Sequence, residues 1–208
     1  MSVKTKTPTA PTKGEQTRQS IVSAAYDLII RQGYAGTSMR QIAEKSGLAL
    51  GGIYNHFSSK EEVFRAIIAE RHPFFQIIPL IRSSPGDTVE EFVHNAAHTL
   101  VAELKRHPEF LNLMLVEIVE FKTRHVPLVF EKLYPQLTPL IERLVSLEGN
   151  VRTIPPIVFA RAFLGMFFSY YITEMLIGRN IPRDLRDEHA IDYFVEIFLH
   201  GILIPEAE

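Results

Sequence analysis

The run from Thr37 to Phe64, TSMRQIAEKSGLALGGIYNHFSSKEEVF, constrains the fold more than any other part of the chain. It predicts two short helices joined by a glycine turn, with a third helix starting just after. Ser38 stands three residues before Gln41, and Ser59 three before Glu62. That spacing predicts a capping box at each: the hydroxyl accepts from an orphan backbone N–H, and the Gln or Glu side chain reaches back to the cap. Gly47 supplies the backbone freedom for the tight turn. Ile42, Ala43, Leu48, Ile53 and Phe57 are the apolar residues that lock the two helices together. The pattern is a helix-turn-helix, whose second helix enters the major groove of DNA.

Charge is divided along the chain in the same sense. Residues 1–60 carry eight Lys/Arg and three acidic residues, a balance of +5; the remainder carries 14 and 21, a balance of −7, which together give the net −2. A basic first quarter on an acidic body fits a small nucleic-acid-binding head joined to a body with another task. With no Cys, disulfides, thiolate metal sites and Cys nucleophiles are excluded. Residues 1–16 lack the apolar core of a signal peptide. Residues 157–172, IVFARAFLGMFFSYYI, are apolar, but shorter than a membrane span needs and interrupted by Arg161, so they predict a buried helix.

The chain reads as all α, with about nine helices. Residues 1–14, rich in Thr, Pro and Lys, read as a disordered basic tail. A helix from Thr17 ends at Gly33, and the motif helices follow at 39–46 and 50–57. A further helix starts at Lys60, with Pro73 and Pro79 expected to kink or break it. SSPGD, residues 83–87, reads as a linker. Later helices are expected at 88–106, 109–122, 126–147, 156–178 and 187–203. Pro127, Pro135 and Pro139 should bend or split the third of these five. The expected organisation is the tail, a head at 15–75 and a helical body at 76–208.

Residues 17–64 resemble the N-terminal domain of the TetR family of bacterial transcriptional regulators. The matching elements are the first helix leading into GYAGTSMRQIA, the KSGLALGGIYNHF block and SSKEEVF. The resemblance implies a three-helix head that binds double-stranded operator DNA as part of a dimer. It also implies a helical body that binds a small effector and dimerises, and hence a cytoplasmic bacterial regulator, most often a repressor.

On this resemblance the DNA-binding candidates are Thr37, Ser38, Arg40, Leu50, Gly51, Gly52, Tyr54, Asn55, His56 and Lys60. Thr37 and Ser38 stand at a helix N-terminus, where hydroxyls and free N–H groups suit phosphate. Arg40 reaches phosphate or a base edge. Two successive glycines, poor helix formers, suggest a backbone that must come close to DNA. Tyr54 and His56 match positions that contact phosphate, and Lys60 one that grips it. Asn55 is the candidate for bidentate reading of adenine, and Leu50 for packing on a thymine methyl. Two departures stand out: Ala49 lacks the hydroxyl common at the start of this helix, and Leu50 replaces a frequently polar residue. DNA shape and dimer spacing must then carry much of the specificity.

In the body, the expected dimer contacts are Phe159, Tyr170, Ile191, Phe194, Val195, Phe198 and Ile202, on the last two helices. Met and Phe suit an adaptable apolar pocket; its expected lining is His98, Phe110, Met114, Glu117, Phe121, Phe130, Phe163, Met166 and Phe167. His94 and His98 have metal-ligand spacing, but no third ligand lies near in sequence, so they read as an exposed helix face and no metal or cofactor is expected. No catalytic set stands out. Two other readings stay open: an interaction protein that has lost DNA binding, and an enzyme on a helical scaffold.

Overall fold

The structure is a computed structural model that describes residues 12–149, 151–182, 184 and 186–203, the side chain of residue 179 excepted. Among these the chain is all α, with two isolated bridges in place of any strand. The helices are α1 (Lys13–Gln32), α2 (Met39–Lys45), α3 (Leu50–Tyr54), α4 (Lys60–Arg71), α5 (Phe74–Arg82), α6 (Val89–Arg106), α7 (Glu109–Val119), α8 (Val126–Ser146), α9 (Pro156–Ile177) and α10 (Ala190–Ile202). The helix added to those expected is α5: Pro73 breaks the chain after α4, whereas Pro79 is carried inside α5. Likewise α8 is not split, and holds Pro135 and Pro139 within one helix.

The helices form two compact units. One is the described part of Met1–His72 together with Leu111–Val129; the other is Pro73–Phe110 with the described part of Phe130–Glu208. The chain passes between them at 72/73, within α7 and within α8. SSPGD is therefore not a linker between domains. It joins α5 to α6 inside the second unit, with Ser84 buried.

In the first unit, α1 starts earlier than the composition suggests. The Thr12 hydroxyl accepts from the Glu15 N–H at 3.2 Å, and the Glu15 carboxylate accepts from the Thr12 N–H at 2.7 Å. This capping box moves Thr12–Gly14 out of the expected tail; residues 1–11, with Lys4 and Lys6, lie outside the described residues. The apolar face of α1 (Ile21, Val22, Ala25, Ile29) is buried, as are Ile42, Ala43, Ile53, Phe57, Val63, Phe64, Ile67 and Ile68.

The segment from α7 to α8 completes this core. Phe121 stacks on Phe64 with ring centroids 4.8 Å apart, and Tyr34 packs edge-on to both. Glu117 closes the turn below: its Oε1 accepts from the His125 N–H at 2.6 Å, and its Oε2 lies 2.9 Å from His125 Nδ1. Both side chains are buried, 7% and 5% exposed. Between them Lys122 and Thr123 adopt φ of 52° and 65°, the left-handed region that a β-branched Thr rarely enters. The Thr123 N–H is held by the Glu117 carbonyl at 3.0 Å. Three expected ligand contacts, Met114, Glu117 and Phe121, thus belong to the head's own unit.

The second unit buries Ile77, Ile81, Phe92, Val93, Ala96, Leu100 and Leu104 with Phe163, Phe167, Tyr171 and the inner face of α10. Phe198 packs edge-on against Phe159 and Phe163. Phe110 sits against Phe74 and Phe168. An apolar cavity of about 40 Å³ is lined by Phe92, Ala96, Leu140, Ile141, Phe163 and Leu164, among others. A wider cleft of about 440 Å³ shares Ile141, Leu144 and Phe159 with it and has Arg152 in its wall. Of the expected ligand-pocket residues only Phe163 lines either space. Phe110 and Phe167 are core, Phe130 is exposed beside Tyr134, and His98 and Met166 line neither.

The expected dimer face is also corrected. Tyr170, Ile191, Val195, Phe198 and Ile202 are buried within the single chain, and Phe159 and Phe194 are half-buried. Large aromatic and branched side chains fill the protomer's own core. What α9 and α10 leave uncovered is the opposite face: Val158, Ala162, Gly165, Ser169 and Leu176 on one, Tyr193 and Ile197 on the other. By length and composition α9 could span a membrane, and only 22% of its most apolar window is buried.

Candidate nucleic-acid interface

Local rules place the motif helices. The Ser38 hydroxyl accepts from the Gln41 N–H at 3.3 Å, and the Gln41 side-chain Oε1 accepts from the Ser38 N–H at 2.8 Å, so the expected capping box opens α2. Gly47, at φ 72°, makes the turn into α3. The box at α4 is only half as expected. Ser59 accepts from the Glu62 N–H at 3.2 Å, but the Glu62 carboxylate passes Ser59 and takes the Ser58 N–H and hydroxyl at 2.7 and 2.8 Å. Those bonds hold the Glu62 carboxyl below its ordinary pKa.

Helix α3 is five residues long, shorter than expected, and ends at Tyr54. Asn55 and His56 follow in a turn, the His56 and Phe57 N–H groups both reaching the Ile53 carbonyl at 3.0 Å. Ala49 caps α3 with no side-chain bond. Ile53 and Phe57 point into the core, so Leu50 and Tyr54, four apart on the other face, are left 43% and 51% exposed. Arg40 and Asn55 are exposed and His56 is half-buried. Seven expected residues thus lie exposed on α2 and its cap, α3 and the turn after it: Ser38, Arg40, Leu50, Gly51, Tyr54, Asn55 and, in part, His56.

Gly51 and Gly52 meet no steric demand from the protein. A methyl group at Gly51 would touch nothing within 4 Å, and one at Gly52 would only reach the Leu48 side chain at 3.9 Å. Helix propensity alone favours Ala at both. If the open face of Gly51 accommodates a DNA backbone, Gly51→Ala raises stability by about 0.5–1 kcal/mol. The same change lowers operator affinity by about tenfold, a cost near 1.4 kcal/mol. Thermal melts and gel shifts on one preparation check both signs; operator binding that is unchanged or tighter removes the close-approach reading.

Two expected contacts differ in the structure. Thr37 is only 2% exposed, and its hydroxyl donates to the Gly33 carbonyl at 2.8 Å. It locks the α1–α2 loop and does not present that hydroxyl to phosphate. Lys60 turns inward: Nζ donates to the Tyr34 and Thr37 carbonyls, both at 2.7 Å, and lies 4.1 Å from the centre of the Tyr34 ring. Burial lowers its pKa. Only one of its three donors remains for a phosphate. Sequence reasoning missed Tyr34, the hub of this loop, because Lys60 and the two rings that pack on it lie 26 or more residues away. Arg18 pairs with Glu70 and lies 5.1 Å over the Phe57 ring, tying α1 to α4.

A capped helix-turn-helix with a bare, glycine-lined second helix defines a DNA-binding protein of the regulator class. The sequence profile for bacterial regulatory proteins of the tetR family matches residues 21–67. The regulator YvkB of Bacillus subtilis (strain 168), itself uncharacterised, is 22% identical over 189 residues, covering 86% of this chain and 96% of that one. SrpR, a transcriptional regulator of Pseudomonas putida, is 42% identical over 62 residues, 29% of each chain. A solved TetR-family regulator from Mesorhizobium loti MAFF303099 superposes with a TM-score of 0.68 at 22% identity, covering 93% of this chain and 100% of that one. Residues 21–67 are a TetR-family DNA-binding domain, and the chain is a DNA-binding transcriptional regulator. Proteins of this family are not enzymes, which removes the enzyme reading.

Proposed function

We propose that the protein is a homodimeric cytoplasmic repressor that holds a palindromic operator and is released by a small apolar or aromatic ligand. The observation that carries the DNA contact is the exposed set Gly51, Tyr54 and Asn55, on α3 and the turn after it, whose opposite face is pinned by Ile53 and Phe57. Tyr54 and His56 serve phosphate, and Asn55 is placed to read an adenine edge. Asn55→Ala is expected to cost about 1–3 kcal/mol on the preferred operator and to relax selectivity at one base pair. Tyr54→Ala should instead weaken all sequences alike and flatten the salt dependence by about one phosphate. Gel shifts on the DNA flanking its own gene, over a range of salt, separate the two; an Asn55→Ala protein with unaltered selectivity sinks the base-reading role.

The bare faces of α9 and α10 support the dimer. Small residues at Ala162, Gly165 and Ser169 permit close helix approach, and Ile197, 63% exposed, is the natural anchor. Two-fold pairing through one self-complementary face also matches a palindromic site. The apolar cavity and adjoining cleft in the second unit support the ligand. At about 40 Å³ the cavity falls far short of the roughly 300–1,000 Å³ of a ligand site, so a ligand must displace the α8 residues that line it. Pro135 and Pro139 each remove a backbone donor from α8 and make that helix the easiest wall to bend.

A further inference from the structure

Three of the eight histidines converge on one carboxylate in the second unit. His94 and His98, one turn apart on α6, stack with ring centroids 4.4 Å apart. Both aim Nε2 at Asp192 Oδ1, at 3.1 and 2.7 Å. His189, just before α10, brings Nδ1 to within 3.3 Å of the other oxygen, Oδ2. The third ligand that the local sequence lacks thus comes from 94 residues further on.

We propose that His94, His98 and Asp192 form a binding site for a divalent transition ion of the Zn²⁺ type, with His189 orienting Asp192 and water completing the shell. The donor set selects the ion: two imidazoles and one carboxylate suit zinc and its neighbours, whereas Mg²⁺ and Ca²⁺ prefer all-oxygen shells. The geometry is close to that required. Zinc bonds of about 2.0–2.2 Å place tetrahedral ligands roughly 3.3 Å apart, and the three ligand atoms already lie within 4.8 Å of one another. Without metal, each imidazole must keep its proton on the nitrogen facing Asp192; an ion replaces the two Nε2 protons, and the outward nitrogens then donate to solvent. Such an open, partly exposed site suits reversible occupancy rather than a closed structural one. It would clamp α6 to the start of α10, beside the exposed Tyr193 and Ile197.

The test is calorimetric titration of untagged full-length protein with ZnCl₂, alongside MgCl₂. One Zn²⁺ per chain is expected, with no Mg²⁺ uptake, and an increase in Tm in step with occupancy. His98→Ala and Asp192→Asn should each weaken Zn²⁺ binding by about 100-fold, and His189→Ala by about tenfold, the usual range for an orienting partner. Substituted Co²⁺ should show the visible bands of a tetrahedral nitrogen–oxygen site. Metal-free melts establish that each variant is folded; should His98→Ala fail there, His94→Gln is read in its place. Zn²⁺ uptake equal in wild type and the folded variants, or none in wild type, overturns the proposal.

Discussion

Phe64→Ala is expected to remove about 3–5 kcal/mol of stability, the usual cost of deleting a buried aromatic ring. Phe64 has no exposed surface and is shared by four elements: α4, the Tyr34 loop, the Phe121 ring and His125. Against a typical domain stability of about 5–15 kcal/mol, that loss leaves a substantial unfolded fraction near physiological temperature. Since Tyr34 also anchors Lys60, operator binding should fall with it. Urea denaturation followed by circular dichroism gives the number, and Phe64→Leu, which keeps most of the volume, should lose no more than about 1.5 kcal/mol. An unchanged midpoint for Phe64→Ala would rule out the shared core.

Glu117→Ala should be comparably severe, at about 3–5 kcal/mol, because it strips a buried imidazole and a backbone N–H of their acceptor. The turn at Lys122–Thr123 magnifies the effect. Its left-handed residues cost of order 1–3 kcal/mol each and persist only where surrounding bonds over-determine them. Substituting Thr123→Gly in the Glu117→Ala background should therefore recover part of the loss, because glycine adopts that conformation without strain. Thermal melts of the single and double variants measure this recovery. A double variant no more stable than Glu117→Ala alone would show that the turn holds no strain to relieve.

The helix-turn-helix was legible because its determinants are local. Ser38 and Gln41, Gly47, Ile53 and Phe57 act within a few residues of one another, and each does in the structure what its spacing predicts. The start of α1 was equally local, yet composition concealed it: Thr12 and Glu15 carry the same spacing as Ser38 and Gln41 inside a stretch that reads as a tail. The inward contacts of Lys60 were not legible for a different reason. Its partners are carbonyls of a loop 23 and 26 residues away, which no periodicity records. On α9 and α10 the pattern revealed apolar faces but not which one the chain would keep for itself. Packing decides that, and it takes the bulky Phe163, Phe167 and Phe198 inward, leaving Gly165 and Ile197 outside. The expected ligand residues divide between the units, Met114, Glu117 and Phe121 in one and Phe110, Phe163 and Phe167 in the other, a division that no periodicity records.

The stacking of Phe121 on Phe64 sets a limit on modularity. The part of this protein that the family's sequence profile matches, residues 21–67, is shorter than the part that must fold together. Cut out at residue 75, the DNA-reading piece would lose the ring that covers Phe64 and the turn that covers Tyr34. Domain-swap chimaeras that graft this head onto another regulator's body should therefore fail to yield a stable product unless they carry Leu111–Val129 along. In this chain the natural seam for such exchanges is discontinuous, cutting α7 and α8 near their N-terminal ends.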